Sequence, residues 1–122
     1  TMLYCFRHPI RNSVLKEAER IKQINLETPE NCYKIINEFK TYNFSDNIGL
    51  TETNCLIRKH KPLTAFHKDW NRCINLCLRD QLSFDYLLFK HNIKYHKFSN
   101  AFKKTIFKRH YHVNSKNRTV IK

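Results

Sequence analysis

Hydrophobic residues along the chain follow two spacings, one typical of strands and one typical of helices. The apolar run Leu3-Tyr4-Cys5-Phe6 predicts a strand that ends at His8-Pro9, because proline cannot donate a ladder hydrogen bond. The segment Thr51–Arg58 is β-branched and partly alternating, which predicts a second strand. Short final strands are predicted at 93–95 and 110–113.

Four segments between these strands carry apolar residues at helical spacing. Ser13 can cap the first helix, Thr28 with Pro29 begins the second, Pro62 begins the third, and Asp80 can cap the fourth. The apolar positions are Val14, Leu15, Ala18 and Ile21, then Cys32, Ile35, Ile36, Phe39 and Tyr42, then Leu63, Phe66, Trp70, Cys73 or Ile74 and Cys77, and finally Leu82, Tyr86 and Phe89. The order predicts an α/β fold in which about four helices cover a small mixed sheet.

Composition narrows the class of protein. A chain of 122 residues with 41% hydrophobic residues predicts one domain with a packed core. The single glycine excludes P-loops and dinucleotide fingerprints, which need several glycines. Five cysteines are an odd number, which favours reduced thiols in the cytoplasm or another reducing compartment. No apolar run approaches the length of a membrane span.

Positive charge is concentrated near the end of the chain. The net charge is +13, and residues 86–122 contain ten Lys and Arg but no Asp or Glu. The chain is therefore divided into residues 1–96 and a basic tail, 97–122, in which Phe98, Phe102 and Phe107 alternate with basic residues. Such a tail can bind nucleic acid or another polyanion through stacking and charge. Its phenylalanines also have helical spacing, so a segment that docks on its own domain is the alternative.

Two groups of polar residues are candidates for chemistry. Arg79, Asp80 and Gln81 lie at a predicted helix start, where an acid and an amide can be directed into a cleft. The alternative is that Asp80 only caps the helix. Glu52, at the start of the second strand, is a candidate buried acid that Arg58 or His60 could neutralise.

The cysteines and histidines form no complete zinc pattern. Cys73 and Cys77 are four residues apart on the helix that carries Trp70, so buried core thiols are favoured over metal ligands. His110 and His112 flank Tyr111 without a second ligand pair at suitable spacing.

Several segments, in this order, resemble a glycosyltransferase-like domain family first described as a domain of unknown function. The family occurs in plant Golgi proteins of mucilage and pectin synthesis and in bacterial and giant-virus polysaccharide proteins. The similar segments, which span roughly residues 3–96, are His8-Pro9-x-Arg11 with Glu17-Ala18, Gly49-Leu50-x-Glu52, Ile57-Arg58-x-His60, Trp70, and Arg79-Asp80-Gln81-Leu82-Ser83-Phe84-x-Tyr86. The last of these segments is the most specific.

This resemblance implies part of a nucleotide-sugar transferase (GT-A-like) fold and a transfer of sugar to a glycan or glycoprotein acceptor. It implies that Asp80 and Glu52 are catalytic, with Gln81 and Arg79 beside them at the substrate. His8, Arg11 and Arg58 would complete the substrate-binding cleft. A divalent cation, Mn²⁺ or Mg²⁺, and a nucleotide-sugar donor are implied as well, with His110 as a metal ligand.

One family feature is missing from the sequence. Such transferases carry an Asp-x-Asp motif that holds the metal and the nucleotide, and no Asp-x-Asp occurs here. The chain also begins almost within its first strand. We therefore expect the acceptor-side half of a longer enzyme, whose missing N-terminal half binds the donor, or a shortened relative that does not catalyse.

Overall fold

The computed structural model describes residues 1–107. In chain order these residues form the following elements: β1 (Leu3–Arg7), α1 (Val14–Gln23), α2 (Pro29–Thr41), β2 (Thr51–Arg58), a single 3-10 turn (Lys61–Leu63), α3 (Thr64–Leu76), α4 (Asp80–Lys90), β3 (Tyr95–Phe98) and α5 (Asn100–Ile106). The predicted α/β class is confirmed, since residues 1–107 form a mixed fold of three strands and five helices. Within this part of the chain, no helix is long and apolar enough to cross a bilayer.

The three strands form a mixed sheet with β1 in the middle. β2 pairs with β1 in antiparallel orientation and β3 pairs with it in parallel orientation. Alternate side chains of a strand point to opposite faces of the sheet. Leu3 and Cys5 therefore lie in the core beneath the helices, whereas Phe6 lies on the other face, where its ring meets those of Phe98 and Phe107.

Helix α4 lies at the centre of the packing and contacts α1, α2, α3 and β2. It is buried without interruption from Leu82 to Leu88, which explains why its sequence shows no clear one-sided stripe. Phe89, which the apolar spacing placed on one side of this helix with Leu82 and Tyr86, is 46% exposed. Leu15 of α1 is half-exposed too, and so is Tyr42, which follows the last residue of α2.

Three helices end with an asparagine in the left-handed backbone region. Asn25, Asn43 and Asn92 have φ of 56°, 54° and 49°. In each case the next residue's N–H donates to a carbonyl five positions back, as from Ile93 to Leu88 at 2.9 Å, which is the Schellman pattern. Asparagine thus replaces the usual glycine in a chain with almost none.

This ending also corrects the predicted third strand. Ile93 completes the cap of α4, so the strand begins at Tyr95 rather than at residue 93. It continues to Phe98, opposite Phe6 of β1, and the predicted boundary at 96/97 falls inside β3. The strand predicted at 110–113 lies outside the described residues.

An ion-pair network joins α2, α3 and α4. The Asp69 carboxylate accepts hydrogen bonds from Lys90 and His91, both at 2.7 Å, and from Arg72 at 2.8 Å. Arg72 also donates two bonds of 2.8 Å to Glu38. Burial acts to raise the pKa of Asp69, but these hydrogen bonds outweigh it and lower the pKa to about 2.

A pH dependence of folding follows from this lowered pKa. The ionised Asp69 stabilises the fold above its unfolded pKa, and that contribution disappears as the pH falls through about 2. We expect Asp69→Asn to lower the free energy of unfolding at pH 7 by about 1–2 kcal/mol, since solvent screens part of the network. Urea unfolding of Asp69→Asn and of the unaltered protein at pH 7 and pH 2.5 checks this. The difference in free energy of unfolding between the two proteins should be smaller at pH 2.5, and an equal difference at both pH values would contradict the prediction.

Candidate functional site

The start of β2 is anchored by α4. The Thr51 N–H and hydroxyl donate to the Asp85 carboxylate at 2.9 and 2.8 Å, and the Gln81 amide donates to the Thr51 carbonyl at 3.3 Å. Lys97 completes the arrangement with an Nζ to Oδ1 distance of 2.5 Å to Asp85. Side chains of α4 thus bond to both the N–H and the carbonyl of Thr51. Because β2 is an edge strand of the sheet, α4 covers that edge at this residue.

Glu52 points away from α4, because neighbouring residues of a strand face opposite sides. Its carboxylate accepts from Asn54 at 2.7 Å, Lys103 at 2.8 Å and Asn100 at 2.9 Å. Burial acts to raise the pKa of Glu52, but Lys103 and the two amides outweigh it and lower the pKa. Glu52 is therefore ionised at neutral pH.

A cavity of about 360 Å³ lies beside this carboxylate. Its lining, which we call the Glu52 cavity, consists of Pro9, Glu52, Asn54, Asn100, Lys103, Lys104 and Phe107. The groups around it include a carboxylate, two amides and ammonium groups, with an aromatic ring at one side. Carboxylates and amides bind hydroxyl groups as acceptors and donors.

His8 and Arg11 shape the loop that follows β1, next to the Glu52 cavity. The His8 Nδ1 accepts from the backbone N–H groups of Ile10 and Arg11 at 3.2 and 3.0 Å. The Arg11 guanidinium pairs with the buried Glu17 carboxylate of α1. Burial lowers the pKa of His8 although Glu17 opposes the shift. Both side chains are thus engaged in holding the loop, and Pro9 between them lines the cavity.

A second group of the predicted residues lies around Trp70 on α3. The Trp70 indole N–H donates to the Asp80 backbone carbonyl at 3.3 Å, and the Arg58 guanidinium carbon lies 5.9 Å from the ring centroid. Asp80 is the first residue of α4 rather than its cap, which is Arg79. Among residues 1–107 the Asp80 carboxylate accepts no hydrogen bond, so it is available to a ligand.

The predicted residues therefore form two groups. Glu52 lies with His8 on the α5 side of the sheet, and Asp80, Arg79 and Arg58 lie near Trp70. Gln81 connects the groups, since it bonds to the peptide that precedes Glu52. Neither Arg58 nor His60 pairs with Glu52, because Arg58 occupies the opposite end of β2. The correct partner is Lys103.

Sequence reasoning gave no role to two residues of the Glu52 cavity, Asn54 and Asn100, and it placed Lys103 in the basic tail rather than beside Glu52. Asn54 follows Glu52 by two residues and so shares its face of the strand, a signal that was present in the sequence. Asn100 and Lys103 lie on α5, which the sequence did not predict as an element. The available signals were the helical spacing of Phe98, Phe102 and Phe107, of which Phe102 lies within α5, and the alternative of a segment that docks on the domain. Helix α5 does contact β1.

The described residues do not fit the implied metal. In residues 1–107, no group of three or more His, Cys, Asp or Glu side chains is placed to hold an ion. His110, the implied ligand, lies outside the described residues. Cys73 and Cys77 are free and buried, as predicted for core thiols, and burial raises the pKa of each to about 11.

Comparison of the chain with protein-family models, curated proteins and solved structures found no match.

Proposed function

We propose that this chain is the acceptor-side part of a glycosyltransferase that moves a sugar from a nucleotide-sugar to a glycan or glycoprotein acceptor. The observation that carries the proposal is the Glu52 cavity, where an ionised carboxylate lies within hydrogen-bonding distance of two amides and an ammonium group. Such a set of donors and acceptors suits the hydroxyl groups of a sugar. The family resemblance implies a catalytic role for Glu52, and in this proposal the residue binds the acceptor instead.

The residues near Trp70 would act on the reacting sugar. In glycosyl transfer the acceptor oxygen bonds to the anomeric carbon, the bond to the phosphate leaving group breaks, and a carboxylate takes the acceptor's proton. Positive charge develops at the anomeric carbon, and nearby carboxylates stabilise it. We assign the stabilisation of this positive charge to Asp80, whose carboxylate accepts no hydrogen bond among the described residues. We assign contacts with the hydroxyl groups of the sugar to Gln81.

Donor binding is assigned to polypeptide outside this sequence. The sequence lacks an Asp-x-Asp motif, and residues 1–107 offer no ligand group for a metal. In this proposal the nucleotide-sugar and its Mn²⁺ or Mg²⁺ are held by another part of the enzyme, and this chain presents the acceptor to it.

Glycan binding at the Glu52 cavity tests the proposal. We expect Glu52→Gln to weaken binding of an oligosaccharide acceptor at least tenfold, because it removes a charged hydrogen-bond acceptor. The comparison uses saturation-transfer NMR with a panel of neutral and acidic oligosaccharides. Glu30→Gln, an exposed acid on α2, is the matched control and should bind like the unaltered protein. Equal affinity of the two variants would remove Glu52 from the site.

A second candidate function has its own observation. The face of the sheet opposite α4 carries an aromatic surface formed by Tyr4, Phe6, His96, Phe98, Phe102 and Phe107, with ring centroids 4.5–6.5 Å apart between neighbours. The side chains of Tyr4, Phe102 and Phe107 are about 40–50% exposed. Lys103 and Lys104 lie on α5 next to Phe102. Exposed rings beside lysines can stack bases and neutralise phosphates. Oligonucleotide binding that weakens steeply with salt, without glycan binding, would favour this function.

A further inference from the structure

Another cavity lies at the end of β1, on the face of the sheet that the helices cover. Leu3 and Cys5 occupy this face within the core. Arg7 is the next position on the same face, and it is exposed where the strand leaves the core. The cavity there has a volume of about 460 Å³. We call it the Arg7 cavity, and its lining includes Arg7, Asn12, Asp46, Asn47, Gly49 and Tyr95.

The single glycine of the sequence makes room for the Arg7 guanidinium. Gly49 has a φ of 81°, a left-handed conformation that favours glycine. A Cβ placed on Gly49 would lie 3.0 Å from Nη1 of Arg7, which is closer than ordinary van der Waals contact. The guanidinium therefore occupies space that the side chain of any other residue would take.

The side-chain donors of the Arg7 cavity are free in the described part of the chain. Among residues 1–107 the Arg7 guanidinium makes no hydrogen bond and has no carboxylate within ion-pair distance. Over the same range, the side-chain amides of Asn12 and Asn47 and the Tyr95 hydroxyl have no hydrogen-bond partner. Arg7, Asn12 and Asn47 are exposed, so a ligand in solution can reach them.

The nearby acids do not neutralise the guanidinium. Asp46 lies in the lining, but its carboxylate accepts hydrogen bonds from the Ser13 hydroxyl and from two backbone N–H groups at the start of α1. The buried Asp85 carboxylate is paired with Lys97. Glu52 lies on the opposite face of the sheet. One positive charge without a partner among residues 1–107 therefore remains in the cavity.

The charges of the cavity favour an anion that carries a single negative charge. A carboxylate accepts two parallel N–H bonds from one guanidinium, and its other lone pairs can accept from amides. A phosphate monoester carries about −1.5 to −2 charges at pH 7. With one free cation and the Asp46 carboxylate in the lining, repulsion opposes phosphate more than it opposes a carboxylate.

We infer that the Arg7 cavity binds a carboxylate-bearing ligand, with the Arg7 guanidinium pairing with the carboxylate and the Asn12 and Asn47 amides donating to it. The inference goes beyond the proposed function, because it assigns an acidic ligand to a cavity on the opposite face of the sheet from Glu52. A sugar acid and the carboxyl end of a peptide share this chemical group.

The test is an NMR titration of the whole chain with sodium glucuronate and with N-acetylglycine. The signals followed are the Arg7 Nε–H and the side-chain amides of Asn12 and Asn47. We expect saturable shifts with both acids and no shifts with glucuronamide and N-acetylglycinamide, their neutral counterparts. A site for sugar acids binds glucuronate more tightly, and a site for peptide carboxyl ends binds N-acetylglycine more tightly.

Three variants show whether the guanidinium recognises the acid. Arg7→Gln should weaken binding at least tenfold, because it removes the cation that pairs with the carboxylate. Asn47→Asp should weaken binding as well, since it places a second carboxylate in the cavity. Arg20→Gln, at an exposed arginine of α1, is the matched control and should bind like the unaltered protein.

Several outcomes would overturn the inference. They are the absence of saturable shifts at Arg7, equal affinity of the Arg7→Gln and Arg20→Gln variants for the acids, and equal shifts with the neutral amides. Tighter binding of orthophosphate than of either acid would also contradict it. Glu52 lies outside the Arg7 cavity, so the result is independent of whether Glu52→Gln weakens glycan binding.

Discussion

Replacing Lys97 with methionine is expected to lower the free energy of unfolding by about 3–5 kcal/mol, the usual cost of leaving one member of a buried ion pair alone. The Lys97 side chain is only 2% exposed, and that of Asp85 is fully buried. The Lys97 ammonium also donates to the Ile48 carbonyl at 2.7 Å. Burial raises the pKa of Asp85, and Lys97 is the charge that opposes this shift.

The effect extends to the candidate site because Asp85 also holds the backbone N–H and the hydroxyl of Thr51. Loss of Lys97 therefore loosens the first residue of β2, next to Glu52. Lys94→Met, an exposed lysine just before β3, is the matched control and should change stability by less than about 0.5 kcal/mol. Urea unfolding followed by circular dichroism compares the two variants, and a loss below 1 kcal/mol in Lys97→Met would contradict the account.

Under the proposed function, replacing Asp80 with asparagine is expected to reduce sugar transfer at least a hundredfold. The carboxylate is proposed to stabilise positive charge at the anomeric carbon, and an amide of the same shape cannot. The melting temperature should change little, because the Asp80 carboxylate accepts no hydrogen bond among the described residues. A carboxylate at the first turn of a helix typically contributes about 0.3–1 kcal/mol through the helix dipole.

Kinetics separate this catalytic role from a structural one. We expect Asp80→Asn to have a reduced kcat and an acceptor KM close to that of the unaltered protein, because Asp80 is proposed to act on the transition state. Glu52→Gln should instead raise the acceptor KM. A fall of many degrees in the melting temperature of Asp80→Asn would show that the residue has a structural role.

The sequence predicted the elements where local signals are strong. Ser13 and Thr28 do cap α1 and α2, since each side chain accepts from an N–H three residues later. The first two strands and the third helix were predicted because their apolar patterns are undisturbed. β3 was misplaced because Ile93 looks like a strand residue, whereas the positive φ of Asn92 makes it part of a helix cap.

The candidate site was less accessible to sequence reasoning because its contacts are between distant segments. Glu52 meets Asn100 and Lys103 about fifty positions later, and no periodicity reports such a pairing. The sequence pattern also gave no sign that Thr51, rather than Glu52, faces α4. That choice depends on the pairing register of β2 with β1, in which Thr51 lies opposite Arg7.

The most direct test of the central proposal is sugar transfer by the native protein, isolated from its source by an antibody against residues 14–41. The isolated protein is incubated with radiolabelled nucleotide-sugars, Mn²⁺ and a panel of oligosaccharide acceptors. We predict that label enters at least one acceptor and that a competing peptide for the antibody abolishes this signal. Absence of transfer with every donor and acceptor, together with salt-sensitive binding of oligonucleotides to the same preparation, would contradict the transferase proposal and favour the aromatic surface as the functional site.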